Sequence, residues 1–198
     1  MRVVPSSVRV LRADNPERDQ LEREGWVVTA RSWAAQLNAV DCDQQRLRAL
    51  VERARAVGEV RALTPTDVPK ILALDAATAG DYPGSEATAH PPLTSAKATA
   101  GPSRRAYGIV DTTDELVAMT FVDVEGTRAE VDFTVVARER RGQGLGTAVK
   151  AASVLDLISV GVEIFRTGGS ADNPGSIAAN EAVGFVRDEE WATLTPPS

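Results

Sequence analysis

Arg140-Arg141-Gly142-Gln143-Gly144-Leu145-Gly146-Thr147 lies between an alternating, strand-like run at 129–136 and a longer run of helical periodicity at 145–160. A glycine-rich turn that feeds a helix start leaves several backbone N–H groups without intrahelical partners, pointing one way and reinforced by the positive end of the helix dipole. Such a turn binds phosphate or pyrophosphate. A P-loop requires Lys and then Ser or Thr straight after its last glycine, but Gly146 is followed by Thr147 and Ala148. A dinucleotide fingerprint, G-x-G-x-x-G counted from Gly142, would need a glycine where Thr147 stands. Glu163 lies at about the spacing of the ribose-binding acid, but it begins the next strand, out of reach of a ribose. The spacing that remains is Arg-x-x-Gly-x-Gly, carried by Arg141, Gly144 and Gly146.

The flanks extend this reading. Alternating segments at 106–110, 116–124 and 129–136 are separated by turn-like residues at 112–115 and 125–128, which predicts an antiparallel meander. After the glycine turn, Leu145, Ala148, Val149, Ala152, Leu155 and Ser159 fall on one helical stripe, with Gly161 as its stop. A short strand at 162–167, Asn173-Pro174, a second short helix and Gly184-Phe185 come next, and the last two residues open a final strand. Upstream, 59–63 reads as a strand, and Thr66 or Asp67 caps a helix that buries Val68, Ile71, Leu72 and Leu74. Residues 81–103 hold four of the eleven prolines and few large apolar side chains, which is loop composition.

The Arg141–Gly146 spacing after a meander, with Asn173, a short helix and Gly184-Phe185 downstream, resembles the GNAT superfamily of N-acetyltransferases over roughly residues 58–198. The resemblance implies an α/β (α+β) acyl-CoA N-acyltransferase fold, with a mixed, mostly antiparallel sheet flanked by helices. It implies acetyl-CoA as co-substrate, no metal, and a small-molecule or peptide amine as acceptor. By position, Thr134, Val135 and Val136 lie along the pantetheine arm, where a backbone N–H polarises the thioester carbonyl. Arg141, Gly142, Gln143, Gly144, Leu145, Gly146 and Thr147 surround the pyrophosphate. Asn173 matches a residue that contacts the pantetheine amide. Asn180 stands where many relatives carry a tyrosine that protonates the departing sulfur; Asn cannot do this, so it is expected to hydrogen-bond the cofactor and the proton donor is unassigned. Within the 81–103 wall of the acceptor site, Asp81, Tyr82 and His90, the only histidine, are the candidate contacts.

By the period of two, Glu130, Asp132 and Thr134 share a strand face. Glu130 lies eleven residues before Arg141, where histone-type members keep a catalytic glutamate, so it is the first candidate for general base and Asp132 the second. Two carboxylates at a solvated sheet margin are the competing reading. So, for the whole chain, are an inactive acyl-CoA-binding sensor and a glycine turn that serves packing alone.

The chain has 198 residues, 22 Lys and Arg against 28 Asp and Glu, and a net charge of −6. That balance argues against nucleic acid as partner and favours a cationic acceptor. Cys42 is the only cysteine, so no intrachain disulfide or cysteine metal cluster is available. No membrane-spanning run or signal peptide is evident, and a cytoplasmic location is expected.

The N-terminus carries a second signal. Ala13-Asp14-Asn15-Pro16 recurs as Ala171-Asp172-Asn173-Pro174, Gly25-Trp26 comes after it like Gly184-Phe185, and Trp33 onward echoes Trp191 onward. Residues 1–57 are therefore read as a degenerate partial GNAT-like unit ending in an amphipathic helix at 43–57, and residues 58–198 as the complete domain. The fragment lacks a glycine loop and is expected to bind no cofactor. Only thirteen residues lie beyond Phe185, room for one strand where the family closes with two. A strand from 27–37 is expected to complete the sheet, within the chain or from the partner in a homodimer.

Overall fold

The computed structural model describes residues 8–81, 88 and 90–197. Its fourteen regular elements are, in chain order, β1 Arg9–Arg12, α1 Pro16–Arg23, β2 Val27–Asn38, α2 Gln44–Ala54, β3 Gly58–Ala62, α3 Val68–Thr78, α4 Ser95–Ala98, β4 Arg104–Asp111, β5 Leu116–Glu125, β6 Arg128–Val136, α5 Leu145–Ser159, β7 Ile164–Ser170, α6 Pro174–Val183 and β8 Val186–Thr195. The strands form one sheet in the order β1-β8-β2-β7-β6-β5-β4-β3. Only β6 and β7 pair in parallel, as expected where a helix, α5, makes the crossover. The meander β4 to β6 forms as its alternation predicts, β3 pairs antiparallel with β4 at its edge, and the 81–103 segment contains the short α4 capped by Thr94.

Helices cover both faces. Ile71 and Leu74 of α3 pack with Met119, Phe121, Phe133 and Val135 on one side. On the other, Leu47 of α2 and Ala151, Val154 and Leu157 of α5 pack with Trp33, Leu37, Phe165 and Phe185. Because α5 is wedged between the sheet, α2 and α6, its buried side is wider than the expected stripe. Lys150, Ala151, Ser153, Val154 and Leu157 are buried, whereas Ala152 and Leu155 are only half-buried and Ser159 is exposed. No helix among the described residues is long and apolar enough to cross a membrane.

The N-terminal segment is woven into the sheet. β2 lies between β7 and β8, pairing antiparallel with both, and β1 pairs with the outer edge of β8. The units β1-α1-β2 and β7-α6-β8 are thereby related by a pseudo-twofold axis through the facing pair Ser32 and Trp191. An offset of 158 residues for the first strand and 159 for the second converts Arg12↔Trp191 into Ser170↔Ser32, and Arg9↔Leu194 into Thr167↔Ala35; both pairs are observed. The same operation maps the ladder between β2 and β8 onto itself, with Val28↔Leu194 becoming Ala35↔Arg187 and both of its irregularities exchanged.

The caps repeat as well. Asn15 Oδ1 accepts from the Glu17 N–H at 2.9 Å, and Asn173 Oδ1 from the Ser176 N–H at 3.0 Å. Gly25 and Gly184, with φ of +90° and +112°, take the left-handed turn that ends each helix. One expectation shifts: Trp191 is equivalent to Ser32 rather than Trp33, because ten residues separate Pro174 from Gly184 and nine separate Pro16 from Gly25.

Candidate functional site

β6 and β7 stay together for only three pairs, Arg128↔Ile164 to Glu130↔Arg166, and then part. The cause lies in β6. Phe133 faces Phe121 and Val131 faces Val122, so Asp132 is the extra residue of a β-bulge, which bends and twists the strand where it leaves its neighbour. The bulge corrects the expected alternation. Residues on either side of it change phase, so Glu130 shares its face with Phe133 and Val135, while Thr134 and Val136 face the other way, toward Gly146.

The parting opens a cleft of about 860 Å³. Its walls are β6 from Glu130 to Val136, Thr167-Gly168-Gly169-Ser170 of β7, the glycine loop, and the start of α6 with Asn173 and Ser176. Among the described residues no strand pairs with β6 on this side beyond Glu130, so its backbone N–H and C=O groups border the cleft as a strand edge. Ser32 and Trp33 of β2 also line it. Trp33 is buried and donates from Nε1 to Ser170 O at 3.1 Å, so the N-terminal unit builds part of the wall. Gly168 is needed for this fit: a Cβ there would meet Trp33 O at 2.8 Å.

At one end stands the glycine loop. Gly142 and Gly144 have φ of +73° and +76°, and a Cβ on either would meet nothing within 4 Å, so conformation rather than crowding demands glycine. Gly144 is the N-cap of α5 and supplies no side-chain acceptor, and the first helical bond runs from Ala148 N to Gly144 O. The N–H groups of Leu145, Gly146 and Thr147 thus precede the hydrogen-bonded turns at the positive end of the helix. Gln143 is exposed and does not line the cleft.

Three arginines surround the loop, each with a carboxylate. Arg141 reaches Asp81 at 2.6 Å and the Val136 carbonyl at 3.2 Å, Arg138 also binds Asp81, and Arg140 reaches Asp111 at 3.3 Å. Hydrogen bonds from Arg141 and then Arg138 hold the Asp81 carboxyl below the usual carboxylate range. Asp81, expected at the acceptor, is placed by these bonds at the glycine loop. Tyr82 lies outside the described residues.

At the other end, the two carboxylates of β6 differ. Asp132 is bound by Arg104 at 2.6 Å, and Arg104 also holds Asp123 at 2.7 Å and lies over the Phe121 ring. Glu130 is exposed, lines the cleft, and among the described residues has no side-chain hydrogen bond or ion pair. His90 also lines the cleft, its ring centroid 4.0 Å from that of Phe133 and its Nε2 2.7 Å from Asp75 Oδ1. The second Asp75 oxygen accepts from the Leu93 N–H at 2.8 Å. Asp75 was not expected to matter; its signal was an acid at the end of the otherwise apolar stripe of α3.

Beneath the middle of the cleft lie two further polar groups. Asn180, 1% exposed, donates from Nδ2 to Ser176 O at 2.8 Å and accepts at Oδ1 from Lys150 Nζ at 2.7 Å. Its amide is engaged by the protein at both ends. Lys150 is 4% exposed and lines the cleft, and burial pushes its ammonium down to about 7. Among the described residues no group of three or more potential metal ligands occurs.

A sheet that splits beside a bulge, over a glycine loop and a helix start, is the architecture of an acyltransferase fold. The family model "Acetyltransferase (GNAT) family" matches residues 71–185, from α3 to Gly184-Phe185, and the chain belongs to that family. No curated protein matches it. Among solved structures, a GCN5-related N-acetyltransferase from Kribbella flavida is similar at 17% identity and a TM-score of 0.66, over 98% of this chain and 69% of that one. A tandem GNAT protein from the clavulanic acid biosynthesis pathway is similar at 21% identity and a TM-score of 0.61, over 98% of this chain and 64% of that one. The ribosomal-protein-S18-alanine N-acetyltransferase from Escherichia coli is similar at 20% identity and a TM-score of 0.53, over 70% of this chain and 92% of that one. At these identities the likeness is one of fold.

Proposed function

We propose that the chain transfers an acetyl group from acetyl-CoA to a primary amine. The observation that carries this reading is the open glycine loop and helix start set at the mouth of a cleft whose wall is a strand edge. The pyrophosphate fits the N–H groups around Gly142 to Thr147, with Arg141 released from Asp81 to face it. The pantetheine arm fits the edge of β6 at Thr134 to Val136, where its amides replace the missing β7 partner and a backbone N–H polarises the thioester carbonyl. Asn173 borders the same path.

An acceptor amine enters from the Glu130 end. Glu130, which has no ion-pair partner among the described residues, takes the ammonium proton, whereas Asp132 is committed to Arg104. His90, backed by Asp75, forms the acceptor wall. The chain's acidity suits a cationic acceptor in the cytoplasm. We read residues 1–57 as the remnant of a second such unit, supported by the pseudo-twofold register, and here it contributes a wall rather than a cofactor site of its own. Calorimetry with acetyl-CoA, followed by thiol release with a panel of amines, tests the reading. No affinity for acetyl-CoA would end it. Affinity without turnover on any amine would instead make the protein an acyl-CoA sensor, a reading that the asparagine at 180 favours.

A further inference from the structure

Lys150 is an anomaly that the proposed reaction has not used. A lysine in mid-helix normally keeps its ammonium in water, yet this one is only 4% exposed and is one of the residues that line the cleft. An ammonium has three N–H donors, and among the described residues one is taken, by Asn180 at 2.7 Å. Nor does any carboxylate among them stand within ion-pair distance of it. Of the charged groups that line the cleft, Asp81, Arg141, Arg140 and Asp132 are paired with one another or with neighbours, and Glu130 lies at the far end. Asp156 on α5 accepts from Tyr107, Glu181 on α6 pairs with Arg187, and the charged side chains of α2 are exposed.

The position is directional. Lys150 lies one helical turn after Gly146, on the same side of α5, so it is the next group that a chain leading inward from the glycine loop meets. Asn180 holds it there and is itself anchored to Ser176. The pseudo-twofold provides an internal comparison. The position equivalent to Asn180 is Leu21, which in the first unit is buried in an apolar cluster with Ala192 and Leu194. A strand-helix-strand unit of this kind therefore does not need a polar residue at that point; the polar pair belongs to the cleft.

Resting on the acetyl-transfer reading, we propose that Lys150, positioned by Asn180, is the general acid that protonates the departing thiolate. The amine nitrogen forms the C–N bond to the acyl carbon, the C–S bond breaks, and its electron pair stays on sulfur. One N–H proton of the Lys150 ammonium passes to that sulfur and yields the free thiol. Glu130, having passed the ammonium proton on to solvent before attack, takes the second, surplus proton of the acceptor nitrogen and releases it to solvent, and Lys150 regains its own from solvent after the product leaves. A group that is half-protonated near neutral pH can give and recover a proton in each cycle.

The test is the pH profile of kcat with acetyl-CoA and the best amine of the panel. The parent should lose activity on the alkaline side as Lys150 deprotonates. Lys150→Met should lower kcat by about 10²- to 10⁴-fold and lose that limb, with KM for acetyl-CoA little changed. Asn180→Asp should move the limb to higher pH, because a carboxylate favours the ammonium. This shift is also the readout if Lys150→Met fails to fold. A folded Lys150→Met with parental kcat and an unchanged limb, or an Asn180→Asp limb that stays in place, would overturn the assignment while leaving acetyl transfer intact. A parent that turns over no amine would overturn both.

Discussion

Gly144 and Gly161 offer a matched pair of perturbations. Both are left-handed, at φ of +76° and +95°, and a Cβ on either would meet nothing within 4 Å. Alanine at either site should therefore cost the fold a similar amount, about 1–2 kcal/mol of backbone strain. Gly144 begins α5 at the cleft, whereas Gly161 lies just past its far end. In the parent, acetyl-CoA at about 100 times its dissociation constant adds about 2.7 kcal/mol. For a chain of this size that is about 5–11 °C of melting temperature, at about 2–4 °C per kcal/mol. The new Cβ at position 144 stands in the open space before the loop amides and holds a phosphate away from them. A tenfold weaker affinity, about 1.4 kcal/mol, would halve the ligand-induced shift at the same ligand concentration. Gly161→Ala should keep the full shift on a lowered baseline. Scanning calorimetry with and without acetyl-CoA reads both quantities. Equal ligand shifts in the two variants would refute the placement of the pyrophosphate at this loop.

Glu130→Gln should lower kcat by about 10²- to 10⁴-fold, with acetyl-CoA affinity unchanged, and should remove the acid limb of the pH profile that the parent owes to its base. Asp132→Asn should leave turnover largely intact in the same assay, since Arg104 already neutralises that carboxylate. Asn15→Ala and Asn173→Ala should each cost about 1 kcal/mol in urea denaturation, one cap per unit of the pseudo-repeat; a cost at one site only would deny their equivalence. Arg61 hydrogen bonds, with help from Thr64, hold Asp67 far below the usual carboxylate range. The stabilisation is thus complete above the unfolded carboxylate's pKa and is lost as pH falls below it, so Asp67→Asn should cost about 2–3 kcal/mol at pH 7 and flatten the acid limb of stability.

The glycine loop, the meander and the closing Gly184-Phe185 are legible in the sequence because each is decided by neighbours a few residues away. The expected strand at 27–37 is likewise found in the sheet, paired with both β7 and β8. The bulge is not. Asp132 looks like any alternating residue, and only its failure to find a partner on β5 reveals that Glu130 and Thr134 face opposite ways. Lys150 is hidden for a similar reason: a lysine among the alanines of a helix reads as solvated until α6 is folded over it. Asp75 and His90 stand fifteen residues apart across a loop, and nothing in their spacing announces the contact.

The insertion of β2 between β7 and β8 has a consequence for biosynthesis. At about 5–20 residues per second, roughly 6–25 seconds pass between the synthesis of β2 and that of β7. During that interval Trp33, Ala35 and Leu37, buried in the finished protein, have neither flanking strand beside them. The last strands made must also close a long loop back to the first, which slows folding. Two chains growing near one another can meet the same need by trading β1-α1-β2 units, since the pseudo-twofold ladder accepts any copy of that unit in the same register. At high expression, the species to look for is therefore an exchanged dimer, whose proportion should rise with protein concentration during refolding.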